Sequence, residues 1–476
     1  MPPASLESSD PLAPLALAAE LATTYRQRIA DATTTPVDSY AEVLARFAGD
    51  LPEHGDDACA IIAELARLAE GGIRASTAPR FFGWVIGNSH PTGVAADWLT
   101  AAWGQNAANV QASPAASAVE AVAAGWLLDL LRLPADASVG VVSGATVANF
   151  VCLAAARSEV LLQAGWDAES DGLFGAPPVR VLIGADAHAT VFSGLKYLGL
   201  GAKRVRTVQT DALGRMRPGD FERALKEGDG PIIAIAQAGQ INTGVSDPFA
   251  EIAPLAKAAG AWLHVDGAFG LWANTSPKLA HLVAGVEQAD SWATDGHKWL
   301  QTPYDCGFAI VRHADAHRRA MSVSASYLPP PSAAERDPSV YVPELSRRAR
   351  GFAVWAMLRQ LGRSGVAKMV ASNVDVAQAM AAAIGAIDGA ELVCAVELNQ
   401  FMIRFGGAQG ADAGDRLTLA TVAQIQADAI AFIGASQWRG RWVMRVSVCS
   451  IATTSEDGRL TVEGVRDAWH KVRERL

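Results

Sequence analysis

The run SWATDGHKWLQTPYDCGFAIV carries a histidine–lysine pair, His297 and Lys298, where an apolar β-type segment ends. A charged lysine there is costly to bury unless its pKa falls or its amine becomes an imine. Covalent capture of a carbonyl compound is therefore open to Lys298, and a surface lysine just outside a sheet is the plainer alternative. Asp266 in AWLHVDGAFG ends a second such run, at the sheet edge where ligands gather in open α/β folds. A carboxylate there can hold a protonated ring nitrogen, and the small Gly267 and Ala268 let a flat ring approach; a metal ligand beside His264 or a helix cap would use the same aspartate. GVVSGATVANFVCLAAAR passes from a strand through Ser143, Gly144, Ala145 and Thr146 into a helix, a cradle of backbone N–H groups and hydroxyls suited to phosphate. It is neither GxxxxGK[ST] nor GxGxxG, and a structural strand-to-helix turn would read the same. His188 in GADAHATVFSGLKYLG occupies another strand-to-helix transition, where an imidazole can stack on a ring and reach a substrate carboxylate, or simply serve the fold.

Positioning these residues calls for a particular scaffold. VRVLIG, PIIAIAQ, WLHVD, DSWAT and GFAIV are nearly continuous apolar runs alternating with Ala-rich helical stretches from about Asp136 onward. That texture predicts an α/β domain whose mainly parallel sheet is covered on both faces. A chain of 476 residues exceeds one ordinary compact core, and three parts are expected. PLAPLALAAELATTYRQRI and DACAIIAELARLAEGG repeat apolar residues at three- and four-residue spacing, which predicts a helical arm over 1–90. The large α/β domain spans 91–360 and a small α+β domain 361–476, with QFMIRF and RWVMRVSV as strands. MSVSASYLPPPSAAERDPSVYVPE is rich in Pro and Ser and lacks periodicity, so a long mobile surface loop is expected over about 322–343.

Composition narrows the partners. The formal net charge is -9 with no basic run, so nucleic acid and anionic membrane are not expected. No Lys or Arg precedes Arg26, and Glu20 interrupts the first apolar stretch, which argues against a signal peptide. No window approaches the roughly 20 uninterrupted apolar residues of a membrane span, so a soluble, cytoplasmic protein is expected. The five cysteines never form CxxC, which suggests reduced thiols with neither a disulfide framework nor a metal site.

In chain order, ASPAASAVE, SGATVAN, DAHATV, HVDGAFG and DGHKWL resemble segments of the group II pyridoxal-phosphate decarboxylases, the family of the aromatic-L-amino-acid, glutamate and histidine decarboxylases. The resemblance runs from about Phe81 to the helix after Arg350. It implies the aspartate aminotransferase-like fold type I, a pyridoxal 5'-phosphate cofactor, a homodimer with a shared active site, and decarboxylation of an L-amino acid to an amine and CO2. It further implies that Lys298 carries the cofactor as an imine, that His188 stacks on the ring, and that Asp266 binds the ring nitrogen with Ala268 beneath the ring. Ser143, Ala145 and Thr146 would bind the phosphate with His297 beside it. Asn242 and Thr243 in AQAGQINTGVSDP would face the cofactor's hydroxyl or the substrate. Tyr327 in SASYLPPP matches the loop tyrosine that protonates the carbanion left by CO2; aldehyde synthases usually have Phe there, so Tyr327 favours plain decarboxylation. Arg347 in ELSRRARGF matches a basic position that anchors the closed loop, and Trp84 and Ile86 match positions lining the side-chain pocket of aromatic amino acid decarboxylases.

Two departures stand out. Asp295-Gly296 replaces the family's frequent Asn-Pro, placing an acid where a dianionic phosphate would repel it unless it points elsewhere. NAANVQASP lacks a bulky aromatic near Ala108, so an aromatic substrate is expected with an acidic or other non-aromatic amino acid, or aldehyde synthesis, as the alternative. A metal hydrolase built on His264, Asp266, Asp295 and His297 is a competing class, but it leaves Lys298 and the cradle without a role. A catalytically silent binding protein would not need every catalytic position filled.

Overall fold

The apolar runs pair into one seven-stranded sheet made of β1 (Ser138–Val142), β2 (Arg180–Gly184), β3 (Val205–Val208), β4 (Ile232–Gln237), β5 (Trp262–Asp266), β6 (Ser291–Asp295) and β7 (Gly307–Val311). The computed structural model describes residues 10–322 and 335–475. The strand order is β1-β7-β6-β5-β4-β2-β3. Only β7 runs antiparallel to its neighbours. Every residue of β1 and of β4 to β7 is buried, which is why these strands read as unbroken apolar runs rather than as an alternation. β3 has two exposed residues and lies at the sheet edge, so its short sequence VRTV gave no comparable signal.

The N-terminal region holds α1 (Ala13–Gln27), α2 (Tyr40–Phe47) and α3 (Ala58–Ala69). The helical periodicity marked the first and third; α2 is set by a capping box in which Ser39 and Glu42 satisfy each other's backbone N–H groups. There follow α4 (Pro91–Trp103), α5 (Pro114–Leu130), α6 (Ala145–Gln163), α7 (Ala168–Asp171), α8 (Ala189–Tyr197), α9 (Pro218–Lys226), α10 (Phe249–Ala258) and α11 (Ala314–Met321). By length and composition alone α6 could cross a membrane, but it packs on β5, β6 and β7, and its apolar window is 61% buried inside the protein.

The last part combines α12 (Gly351–Gly385), α13 (Ala411–Ala427) and α14 (Ser455–Arg473) with a second sheet of β8 (Ala390–Leu392), β9 (Gln400–Phe405), β10 (Gly434–Trp438) and β11 (Arg441–Ser447). This sheet is wholly antiparallel, in the order β10-β11-β9-β8. α12 breaks at Gly362, where φ is 59° and ψ 178°, a conformation that favours glycine. Its residues as far as Val374 join the core under the large sheet, and those from Val376 join the core of the small one. Phe82 stitches the chain before α4 to the small sheet: its N–H donates to Phe432 O at 2.8 Å, and its carbonyl accepts from Ser447 N at 3.0 Å.

Candidate active site

Four connections leave the C-terminal ends of β1, β2, β5 and β6 on the same edge of the large sheet, and they carry Ser143–Thr146, His188, Asp266 and Lys298. Asp266 ends β5 almost fully buried (6% exposed). Burial pushes its carboxyl up, while His188 and Lys298 draw it back down. The backbone N–H of Ala268 donates to Asp266 Oδ1 at 3.3 Å. His188 caps α8 with Nδ1 2.8 Å from Thr190 Oγ1. It retains an exposed side, yet the surrounding protein lowers its pKa, and Asp266 opposes that shift. Lys298 Nζ lies 2.7 Å from Asp295 Oδ2 and 5.9 Å from the centre of the Phe269 ring.

The cradle forms where β1 turns into α6. A Cβ on Gly144 would stand 3.0 Å from His297 Cε1, and one on Gly307 would stand 2.5 Å from Gly144 Cα, so small residues are required for these backbones to meet. Ser143 is half-buried and Thr146 exposed at the helix start. Asp295 does not point elsewhere: its Oδ1 accepts the Ala145 N–H at 2.6 Å. His297 Nδ1 accepts the Cys306 N–H at 3.2 Å, and its ring stacks on Tyr304 at 4.3 Å. Burial lowers the His297 pKa and raises that of Tyr304 to about 12. Asn242 Oδ1 accepts from Ser436 Oγ at 2.8 Å and from Arg445 Nη1 at 3.3 Å, whereas Thr243 Oγ1 donates to Leu213 O at 2.8 Å.

The segment holding Trp84 and Ile86 crosses directly over Lys298, since a Cβ on Gly87 would fall 1.8 Å from Lys298 O. Trp84 adopts φ 52° and is 50% exposed, with its ring 5.9 Å from that of Phe81 and 5.2 Å from that of Phe432. Ile86 is half-buried. Arg347, expected to anchor the closed loop, shares the Glu120 carboxylate with Arg336 of the 322–343 segment. Its side chain, 1% exposed, donates to Glu120 Oε2 at 3.0 Å, to Ala107 O at 3.1 Å and to Val141 O. None of these partners belongs to the Lys298 group; a buried guanidinium needs a carboxylate, and Glu120 on α5 supplies it. Tyr327 and the loop segment 323–334 lie outside the described residues.

Two residues were not singled out from the sequence. Arg445 on β11 lies close enough to His188 to help lower its pKa, and burial brings Arg445 itself down to about 10. Among the described residues it has no carboxylate partner, and its bonds to Ile241 O and Asn242 Oδ1 are long, at 3.3 Å. An arginine inside the apolar strand RWVMRVS was the legible sign. Gln301, fully buried with φ 59°, donates to Lys298 O at 2.7 Å and Cys449 O at 2.8 Å and accepts from Ile451 N at 3.1 Å. It fixes the Lys298 turn to the chain after β11, and a lone glutamine carries no sequence mark of such a role.

The metal-site alternative does not assemble. His264 is bonded through both ring nitrogens, to Ser291 Oγ at 2.9 Å and Asn149 Oδ1 at 2.8 Å, and burial lowers its pKa to about 3. Among the described residues no three His, Cys, Asp or Glu side chains are grouped to hold a metal.

An amine, a buried carboxylate, an imidazole and a helix-start cradle on one sheet edge are the donor set that pyridoxal 5'-phosphate requires. Residues 42–405 match the pyridoxal-dependent decarboxylase conserved domain. The chain belongs to that family. As a pyridoxal-dependent decarboxylase it uses pyridoxal 5'-phosphate to decarboxylate an amino acid. It is 26% identical to an aromatic-L-amino-acid decarboxylase of Bacillus atrophaeus over 86% of this chain and 84% of that one. It is 29% identical to an L-2,4-diaminobutyrate decarboxylase of Rhizobium meliloti (strain 1021) over 85% and 81%. The crystal structure of Oryza sativa TDC with PLP and tryptamine superposes with a TM-score of 0.91 at 22% identity, covering 98% of this chain and 99% of that one. That likeness shows the decarboxylase's fold: type I, with a helical N-terminal region and a small antiparallel sheet.

Proposed function

We propose that this decarboxylase converts an aromatic L-amino acid to its amine and CO2, with Lys298 as the covalent anchor. The observation that carries the assignment of roles is the meeting of Lys298, Asp266 and His188 within electrostatic reach of one another. When bound, pyridoxal 5'-phosphate supplies an electron-accepting ring that withdraws charge from the substrate's Cα. Lys298 Nζ would hold it, and the Asp266 carboxylate would keep a proton on the ring nitrogen. His188 would cover one ring face and Ala268 the other, and Asn242 would serve the cofactor's hydroxyl or the substrate. Ser143, Ala145 and Thr146, with His297 beside them, would hold the phosphate at the start of α6. Arg445 has guanidinium N–H groups available for a substrate carboxylate, and binding that group aligns the Cα–carboxylate bond. Tyr327 would then return a proton to Cα; residues 338–342 of the expected 322–343 loop form a buried turn against β1 rather than a mobile surface segment.

The aromatic preference rests on the Phe81–Trp84–Phe432 cluster beside Ile86 in the segment that crosses Lys298, together with the Bacillus relative. A homodimer with a shared site is supported by the large apolar side chains left exposed on α4, α5 and α12, including Trp98, Trp103, Trp126 and Trp355. A division into a 1–90 arm, a 91–360 cofactor domain and a 361–476 small domain belongs to the same reading, with α12 shared across the last boundary. The five free cysteines suit a reducing cytoplasm. The test is to incubate purified protein and cofactor with each of the twenty amino acids, measuring CO2, amine, aldehyde and oxygen uptake. Amine from Trp, Tyr or Phe without oxygen uptake is expected; aldehyde with oxygen consumption, or turnover confined to acidic or aliphatic substrates, would overturn the reading.

A further inference from the structure

Asp295 ends β6 with its side chain 3% exposed. Its Oδ1 accepts the N–H of Ala145, the first residue of α6, at 2.6 Å, and its Oδ2 lies 2.7 Å from Lys298 Nζ. One carboxylate thus engages both the helix start suited to a phosphate and the amine suited to a carbonyl carbon. Its backbone is held on both sides, because Asp295 N–H donates to Ala268 O at 3.1 Å and Trp272 Nε1 donates to Asp295 O at 3.2 Å. The carboxylate therefore cannot retreat without a rotation about its own side-chain bonds. The charged and titratable groups around it are Lys298 and His297 on the same connection, Asp266 from β5 and His188 from α8, with Tyr304, Cys306 and Cys449 beyond. Lys298 is the cation within hydrogen-bond distance.

We propose that Asp295 is a resident competitor for the cofactor's phosphate: it holds the α6 start and positions Lys298 beforehand, and it weakens the hold on any phosphate that takes its place. This rests on the reading that Lys298 and the α6 start receive the cofactor. Two anions converging on one N–H in a buried site repel each other, so the carboxylate and a phosphate compete for the same helix start. Asparagine has nearly the same shape, keeps an oxygen for the Ala145 N–H and lacks the charge.

Two probes separate phosphate from ring. Pyridoxamine 5'-phosphate carries the phosphate but cannot form an imine with Lys298, and pyridoxamine lacks the phosphate. Each is titrated into wild-type and Asp295→Asn apoprotein at pH 8 by tryptophan fluorescence quenching, alongside thermal melting of both apoproteins. Removal of the competing charge should tighten pyridoxamine 5'-phosphate by about tenfold, leave pyridoxamine within about threefold, and lower the apoprotein's melting temperature because Lys298 loses its partner. Equal or weaker pyridoxamine 5'-phosphate binding by Asp295→Asn overturns the proposal; a merely structural role would weaken both probes together. Asp295→Ser, smaller and also neutral, must shift the phosphate probe in the same direction. Borohydride reduction of the pyridoxal 5'-phosphate complex, followed by peptide mapping, keeps the two readings apart. Label at Lys298 with unchanged probe affinities overturns the competitor alone, whereas no label at Lys298 overturns the cofactor assignment with it.

Discussion

Arg347 and Arg445 are both arginines drawn into the protein, and their surroundings differ in kind. Arg347 is fastened by Glu120 and by the carbonyls of Ala107 and Val141, so that it joins α5, β1 and the chain before α12. Arg445 meets only two distant oxygens and no carboxylate among the described residues, and burial has already lowered its pKa to about 10. A buried charge paired with a buried carboxylate and backed by two carbonyls holds the fold. A charge left short of partners beside His188 is available to something that arrives. The histidines divide the same way: His264 and His317 use both ring nitrogens on protein partners, whereas His188 keeps an exposed side at the sheet edge.

Substitution can break this contrast. Arg347→Met leaves the buried Glu120 with only Arg336, 3.5 Å away, and should cost about 3 kcal/mol of stability, read by urea denaturation, with much of it recovered by adding Glu120→Gln; a variant as stable as wild type would erase the distinction. Arg445→Met should leave stability within about 1 kcal/mol and lower kcat/KM for the amino acid about a hundredfold, equivalent to about 2.7 kcal/mol. Inhibition by the product amine, which has no carboxylate, should be unchanged; equal losses for both ligands would make Arg445 a structural residue. The smallest effect concerns pH. The pKa of His264 and of His317 is held down at about 3 by burial, against about 6.5 unfolded. The unfolded chain therefore binds more protons between these values, and stability falls as pH falls from 6.5 toward 3, by about 1.4 kcal/mol per pH unit for each histidine. His317→Gln should reduce that slope by one histidine's share in denaturation at pH 6.5 and 5.5, and an unaltered slope would show that His317 is not held neutral.

Much of this arrangement was legible because it is local. β4 to β7 and β1 are buried on both faces, so their apolar runs declared strands, and the chemical residues follow directly at the strand ends. Lys298, Asp266 and His188 could therefore be found before their meeting could be seen. β3 was hidden by its edge position and α2 by its brevity. Arg347 and Arg445 could not be sorted from sequence, because what separates them is a partner more than two hundred residues away in one case and its absence in the other. Asp295 was recognised as a departure, but its bond to the Ala145 N–H depends on β6 and α6 lying side by side, which no spacing reveals.

The crossing of Gly87 over Lys298 has a consequence for how this protein can be cut. A methyl group at residue 87 would overlap the Lys298 carbonyl, and five residues earlier the same stretch is hydrogen-bonded to Phe432 and Ser447. The few residues from Phe81 to Gly87 thus form a strap running from the small sheet to Lys298. A protease nick or a shortened chain that removed this strap would uncover Lys298 and unfasten the small sheet in one stroke, so the shortest active fragment is expected to begin before Phe81 even though the residues proposed to hold the cofactor all lie beyond residue 140.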